Sequence, residues 1–372
     1  MAIDKVTSAA ITDGTITSSD LASGAVQNQS AFKNIIINGN MSLAQRSTSR
    51  TGITTTDGYY TCDRWYSQTD TGTWTISQSN NVPTGQGFYK SFKLDCTSAG
   101  TSNADEVGIR YLIEGQDVQH LKYGTSSADS LTLSFWIKTN KTGTYTVAFK
   151  NASSSQERIV SFEYTVSSAD TWEKKTITLP GDTSQALENT NTSELEIYWY
   201  FSAAFGSGVT NTWQNYSSGY LSSGSLPGLG GSTDDNLFLT GVQLEVGTSA
   251  SDFEFLPFDV NRDRCLRYLQ IIGKGDGNVE NIVMNAYTSS LCYGNFQLEK
   301  KMRTTPSVTF PTTSTQLYND GSARTISNLA VGSPSASSAS FDISGSGWSG
   351  GECLHLNSQD QTNGFMKVES EL

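Results

Sequence analysis

The sequence predicts an all-β protein: a short N-terminal segment for trimerisation or attachment, a central jelly-roll β-sandwich, a short helix and a smaller C-terminal β-sandwich. Three observations carry this expectation. First, alternating segments follow one another quickly, with the two-residue period of a strand. In "LTLSFWIK" (131–138), Leu131, Leu133, Phe135 and Ile137 share one face and Thr132, Ser134, Trp136 and Lys138 the other. "GTYTVAFKN", "IVSFEYTV", "WEKKTITL", "ELEIYWYFSA" and "LFLTGVQLEVG" follow, many separated or ended by Asn140, Gly143, Asp170, Gly181, Gly206 or Gly241. That is the cadence of a sandwich or jelly roll. Second, no strand–helix–strand alternation occurs, which disfavours α/β folds. Third, 10% of the 372 residues are aromatic, enough to hold a core, while only 16% are charged. The surface must then be largely Ser, Thr, Asn, Gln and Gly.

At ~100–200 residues per domain the length suits two or three domains, divided here as 1–33, 34–258, 259–272 and 273–372. In the first segment the larger apolar residues are Val6, Ile11, Ile16, Leu21 and Val26, five apart throughout. Five is neither a helical nor a strand period. One aliphatic residue in five is also too little for a core, because ordering a residue costs ~1–2 kcal/mol. The segment must pack on something else. Residues 34–258 form the jelly roll, with β signals beginning at "NIIINGNMSLAQRS" (34–47). Within them, 205–236 is Gly/Ser-rich and carries Trp213, Tyr216 and Tyr220; a loop this long is usually functional or mobile. "DVNRDRCLRYLQII" (259–272) reads as a helix joining two β domains. Asp259 caps it after Pro257, Val260, Leu266, Leu269 and Ile272 roughly share a face, and its last residues could already be strand. Alternation resumes in 273–372 with "SVTF", "SFDI", "CLHL" and "FMKVESEL".

Composition excludes several functions. The net charge is −12 and no basic run exists, so neither nucleic acid nor an anionic membrane is an expected partner. The start "MAIDKVTSAA" lacks a signal-peptide pattern, and no apolar run approaches the ~20 residues of a membrane span. Synthesis in a cytoplasm, release by lysis and no membrane insertion are expected. Cys62, Cys96, Cys265, Cys292 and Cys353 are odd in number and widely spaced, which suits buried reduced thiols. Only His120 and His355 could supply imidazole, neither in ligand spacing, so no metal and no cofactor are expected.

The candidate catalytic patterns read better as structure. Gly347-Trp348-Ser349-Gly350-Gly351 matches G-x-S-x-G, but a nucleophile elbow needs a following helix and a later histidine partner. Here "ECLHLN" follows, which looks like strand, so a polar turn is the better reading. Asp252 and Glu254 would share a strand face, and Asp234-Asp235 lie in the long loop; a glycosidase pair needs a set separation across a cleft. "GLGG" (228–231) has no lysine or helix to make it a phosphate loop. No enzymatic activity is expected. Aromatics with polar strand neighbours are the stronger lead. Trp136 lies on the Thr132/Ser134/Lys138 face, and Tyr198 and Tyr200 are opposite in phase to Leu195, Ile197, Trp199 and Phe201. Flat aromatic faces beside hydroxyls and amides grip sugar rings. Trp213, Tyr216 and Tyr220 offer a second such set; the alternative for each is packing against another layer or subunit.

"NIIINGNMSLAQRS", "TCDRWY", "LTLSFWIKTNKTGTYTVAF", "TWEKKTITLPGDT", "NTWQ", "LFLTGVQLEVG", "DFEFLPFDVNRDRCLRYLQ" and "MRTTPSVTF" together resemble bacteriophage tail-fibre and receptor-binding proteins, especially of phages infecting marine bacteria and cyanobacteria. Residues 34–262 also look like the jelly rolls of carbohydrate-binding modules. The resemblance implies a trimeric virion protein, most readily a tail fibre made in the host cytoplasm, that binds host surface polysaccharide. The alternatives are a capsid or tail decoration or adaptor without a ligand, and a host-polysaccharide hydrolase. Related modules often hold calcium with acidic residues where this chain has Asn40, Gln45, Thr240 and Gly241, so the resemblance leaves a structural calcium open. It does suggest what the five-residue stripe packs against. In a homotrimer, Val6, Ile11, Ile16, Leu21 and Val26 from three chains would meet at a shared axis. A five-residue-coil β-helix and a segment that orders only on another virion protein are the other possibilities.

Overall fold

The computed structural model describes residues 32–100, 106–203, 205–272, 281–310, 315–319, 322–358 and 366–372. The stripe Val6, Ile11, Ile16, Leu21 and Val26 lies outside the described residues.

Two facing sheets use thirteen strands of the described chain. These are β1 (Ser49–Ile53), β2 (Gly58–Tyr59), β3 (Tyr66–Thr69), β4 (Thr73–Ser79), β5 (Ser91–Ser98), β6 (Val107–Glu114), β7 (Leu131–Thr139), β8 (Gly143–Asn151), β9 (Arg158–Val166), β10 (Glu173–Leu179), β11 (Ser193–Ser202), β12 (Gln214–Asn215) and β13 (Asn236–Val246). One sheet runs β1-β4-β5-β13-β7-β10 and the other β12-β9-β8-β11-β6-β3-β2. Neighbours are antiparallel throughout. Alternation decides which side chains meet between the sheets. Trp74, Phe92, Leu133, Phe135 and Ile137 face Val147, Phe149, Leu195, Ile197 and Trp199, all fully buried. Each such side chain contributes about 1.5–3 kcal/mol relative to exposure. The protein is nearly all β, with a jelly-roll sandwich at its centre.

Four expectations are corrected in detail. "NIIINGNMSLAQRS" is a run of turns, not a strand: Asn38 and Met41 adopt positive φ, and the Asn38 side chain donates to the carbonyls of Leu43 and Asp63. The helix α1 (Phe258–Leu266) starts one residue before Asp259, has no side-chain cap, and buries Asn261, Cys265 and Leu266. Leu269 and Ile272 leave the expected helical face and belong to β14 (Leu269–Ile272), the strand reading left open for the end of this segment. The reason is polar: Asn261 turns inward to accept the Asn38 backbone N–H at 3.1 Å. Finally, Cys353 is exposed, whereas the other four thiols are buried.

The smaller β unit is closed rather than layered. Strands β15 (Asn281–Ala286), β16 (Leu291–Gln297), β17 (Ser307–Thr309), β18 (Thr315–Asn319), β19 (Ser322–Val331), β20 (Ser338–Ser346), β21 (Cys353–Ser358) and β22 (Met366–Glu369) complete the fold. Six of them close as a barrel in the order β15-β16-β20-β19-β18-β21, which leaves no open edge. The other two join β14 in a three-stranded sheet, β14-β22-β17. Met284, Cys292, Ile343 and Leu354 of the barrel share one core with Met366 and Val368 of that sheet.

Buried charge ties the two units together. Arg64, 1% exposed, pairs with Glu371, donates to the Leu112 carbonyl at 2.6 Å and lies 3.5 Å from the Tyr268 ring centroid. Glu114 is fully buried and takes two Arg267 donors, each at 2.7 Å, and the Tyr268 hydroxyl. Removing one partner from such a pair typically costs ~3–5 kcal/mol, because a buried charge is left uncompensated.

Candidate functional site: the outer face of the seven-stranded sheet

Residues in the outward phase of β3, β6 and β11 form a row across the seven-stranded sheet. Tyr66 is directly opposite Arg110, and Arg110 directly opposite Tyr198. The Arg110 guanidinium carbon lies 5.4 Å from the Tyr66 ring centroid and 4.7 Å from that of Tyr198. It is thus held between two aromatic rings, in the range where a cation and a ring face attract. Its Nη2 donates to Glu196 at 3.2 Å and to the Tyr198 hydroxyl at 3.0 Å. The Tyr198 hydroxyl donates to Glu196 in turn. Burial, then the Glu196 charge, pushes the Tyr198 phenol well above its ordinary range, with Arg110 opposing. It stays a neutral donor at physiological pH.

Next along β11, the Tyr200 ring stacks on Tyr198 with centroids 5.9 Å apart and planes 7° from parallel. A close approach makes this possible. A Cβ on Gly108 would sit 2.8 Å from the Trp199 carbonyl and 3.4 Å from the Tyr200 ring. Gln68 and Glu106 border the row, joined at 3.4 Å. Burial, then Asp70 and Asp57, raises the Glu106 carboxyl, with Arg110 opposing.

The long segment after β11 roofs half of this face. Ser161 and Thr210 exchange backbone-to-hydroxyl bonds at 3.0 and 3.1 Å, the Tyr216 N–H donates to Glu157, and that of Ser223 to the Thr146 hydroxyl. Phe205, Tyr216, Tyr220, Leu221 and Leu226 pack onto Ala148, Ile159, Tyr198 and Tyr200. The Lys150 ammonium lies 4.5 Å from the Tyr216 centroid.

Of the six sequence-predicted contacts, the structure brings four together here: Tyr198, Tyr200, Tyr216 and Tyr220. Tyr198 and Tyr200 are only 6% and 2% exposed, since the roof covers them; Tyr216 and Tyr220 are half-buried. Trp213 belongs to the main core, edge-to-face with Tyr123 at 5.9 Å, its indole donating to the Pro180 carbonyl at 2.7 Å. The Gly/Ser-rich segment thus contributes to the main core through Trp213. Trp136 is half-buried on the six-stranded sheet, on the opposite outer face from Tyr198 and Tyr200, so these three do not form one surface. Sequence reasoning missed Tyr66, Arg110 and Glu196. The usable signal was a lone arginine in the apolar strand "VGIRYLIE", whose phase puts it outside.

The other candidates have structural partners. Glu254 accepts the backbone N–H groups of Phe32 and Asn34 at 2.6 and 2.9 Å. Asp235 is fully buried and pairs with Lys141 at 2.8 Å. Ser349 lies in a turn between β20 and β21, so strand rather than helix follows it. Gln45 donates to the Asp63 carboxylate from its backbone and its side chain, at 2.9 and 2.8 Å. Among the described residues no group of three or more His, Cys, Asp or Glu is arranged to hold a metal ion, and no helix is long and apolar enough to cross a membrane.

No protein-family model matches the chain, and no curated protein matches it. Among solved structures, it is similar to the enzymatically active domain of tailspike protein 4 of bacteriophage CBA120, with 14% identity and a TM-score of 0.32. That match covers 58% of this chain but only 22% of the tailspike chain. The CBM22-2 xylan-binding domain of Paenibacillus barcinonensis Xyn10C matches at 14% identity over 50% of this chain and 92% of its own, with a TM-score of 0.28. TmCBM61, solved with β-1,4-galactotriose, matches at 9% identity over 57% and 99%, with a TM-score of 0.27.

Proposed function

We propose that the protein is a carbohydrate-binding virion protein of tail-fibre type, and that the outer face of the seven-stranded sheet holds the glycan. One observation carries this reading: Arg110 is clamped between Tyr66 and Tyr198 in a single cross-strand row, with Glu196, Gln68 and Glu106 beside it. The half-exposed Tyr66 ring gives a sugar its C–H stacking surface, and the guanidinium, amide and carboxylate groups take its hydroxyls. The Tyr216/Tyr220 roof borders the row on its Tyr198–Tyr200 side. Tyr198 and Tyr200 support the row from beneath that roof rather than stacking on sugar themselves. The virion role, the homotrimer and attachment to other virion proteins through residues 1–33 rest on the sequence resemblance. A shallow site binds weakly, and three on one trimer would add ~10²–10⁴ in avidity.

The test is affinity electrophoresis of the full chain through gels containing neutral glucans, galactan or xylan. Retention should appear with at least one polymer, and Tyr66→Ala and Arg110→Ala should each weaken it about tenfold or more, the loss of a cation–ring contact plus a stacking face. Retention unchanged in both variants places the glycan elsewhere. No retention on any polymer favours the decoration role.

A further inference from the structure

The outer face of the six-stranded sheet is chemically different. Trp136 sits in register between Thr240 on β13 and Lys174 on β10. One row along, Phe238 lies between Lys93 and Lys138, each ammonium 5.4 Å from its ring centroid. Trp172 closes the strip, 6.2 Å from Phe238, with its indole donating to Asn81 at 3.1 Å. The Trp136 ring is seated at a bulge in β13 where Gly241 has φ +60°; a Cβ there would meet Trp136 at 3.0 Å and Phe88 at 2.6 Å.

The carboxylates around this strip are already engaged. Asp95 pairs with Lys93 at 2.9 Å. Glu173, in the opposite phase of β10 from Lys174, pairs with Lys175 and accepts the N–H groups of Ser167 and Ser168 at 2.9 and 2.8 Å. Glu245 takes the Ser251 N–H and hydroxyl. Among the described residues, Lys138 and Lys174 have no carboxylate within 4.0 Å. Two lysines without an acidic partner therefore flank an indole on a protein whose net charge is −12. At physiological ionic strength charges beyond ~8 Å are largely screened, so this local excess, not the overall charge, meets a ligand.

We propose that this face is a second, separate polysaccharide site, selective for polymers bearing carboxylate or sulfate groups. Trp136 supplies the stacking plate, and Lys138 and Lys174 take the anions. It is independent of the Arg110 row, which lies on the opposite face.

The probes are immobilised dextran sulfate and polygalacturonate, with dextran and galactan as uncharged counterparts, read by biolayer interferometry on the full chain. Binding to at least one charged polymer should exceed that to its counterpart and fade from about 0.05 to 0.5 M salt, as released counterions and screening require. The double variant Lys138→Gln/Lys174→Gln should lose roughly tenfold in affinity for it, and Trp136→Ala a similar factor. Both lysines lie on the surface, so the double variant tests the site even if Trp136→Ala unfolds. Arg110→Ala should leave this binding intact, which separates failure here from failure of the neutral-glycan site. Equal affinity of the double variant and the parent, no preference for charge, or no binding to either charged polymer at low salt would overturn the proposal.

Discussion

The two outer faces of the sandwich begin from the same strand alternation and end differently. On the six-stranded sheet, β10 ("EKKTITL") keeps a one-sided pattern, with Ile177 and Leu179 buried and Lys174, Thr176 and Thr178 exposed. On the seven-stranded sheet, β11 is buried on both sides over nine consecutive residues, because residues 205–226 fold back across it. Outward-phase aromatics differ accordingly: Tyr198 and Tyr200 join a second small core on the seven-stranded sheet, whereas on the six-stranded sheet Trp136 is half-buried and Phe238 lies among Lys93, Lys138 and Trp172. Alternation reports which way a side chain points; what lies above it comes from a distant segment.

The largest expected effect breaks this contrast at the roof's anchor. Trp213→Ala removes a buried indole and its hydrogen bond to Pro180, and should cost about 3–5 kcal/mol of unfolding free energy. Trp136→Ala, on the open face, should cost ~1 kcal/mol, since only part of its area is buried. Urea unfolding of both variants measures the difference. Equal losses would mean that the roof is not anchored as described.

A smaller effect sharpens the comparison through two carboxyls. Glu106, beside the roofed face, is raised by burial and by Asp70 and Asp57. Glu173, at the start of the edge strand β10 and in the inward phase opposite Ile137, is raised by slight burial but lowered more by Lys175 and the Ser168 and Ser167 N–H groups, for a net fall. A raised carboxyl contributes stability that is full below its unfolded value and is lost as pH climbs through its folded value. A lowered one contributes stability present above its unfolded value and lost as pH falls through its folded value. Carboxyl NMR titration of the two glutamates should therefore find midpoints displaced in opposite directions. Displacement of both in the same direction would show that neighbouring acids at Glu106 and the lysine and N–H partners at Glu173 do not set the two midpoints.

How much was legible in the sequence follows from range. Strands β7 to β11 and β13 could be read nearly residue by residue, because a two-residue period is local. The turns at 34–47 could not, since they depend on Asn38 and Asn34 reaching carbonyls elsewhere. Nor could closure of the barrel, which requires β15 to meet β21 some seventy residues on. At the site, the outward phase of Tyr198 and Tyr200 was visible, but their cover was not. Arg110 and Tyr66 are more than forty residues apart and meet only through strand register. Trp213 misled because a Gly/Ser-rich neighbourhood says nothing of where a single indole inserts.

Hydrogen exchange tests most directly which face holds a neutral glycan. The full chain would be exchanged with and without saturating amounts of the neutral polysaccharide that retains it best. Binding along the Tyr66–Arg110 row predicts slower exchange in peptides from β3, β6 and 205–226, with β7 and β10 unchanged. Slowing confined to β7, β10 and β13, with the Tyr66–Arg110 strands untouched, would contradict it.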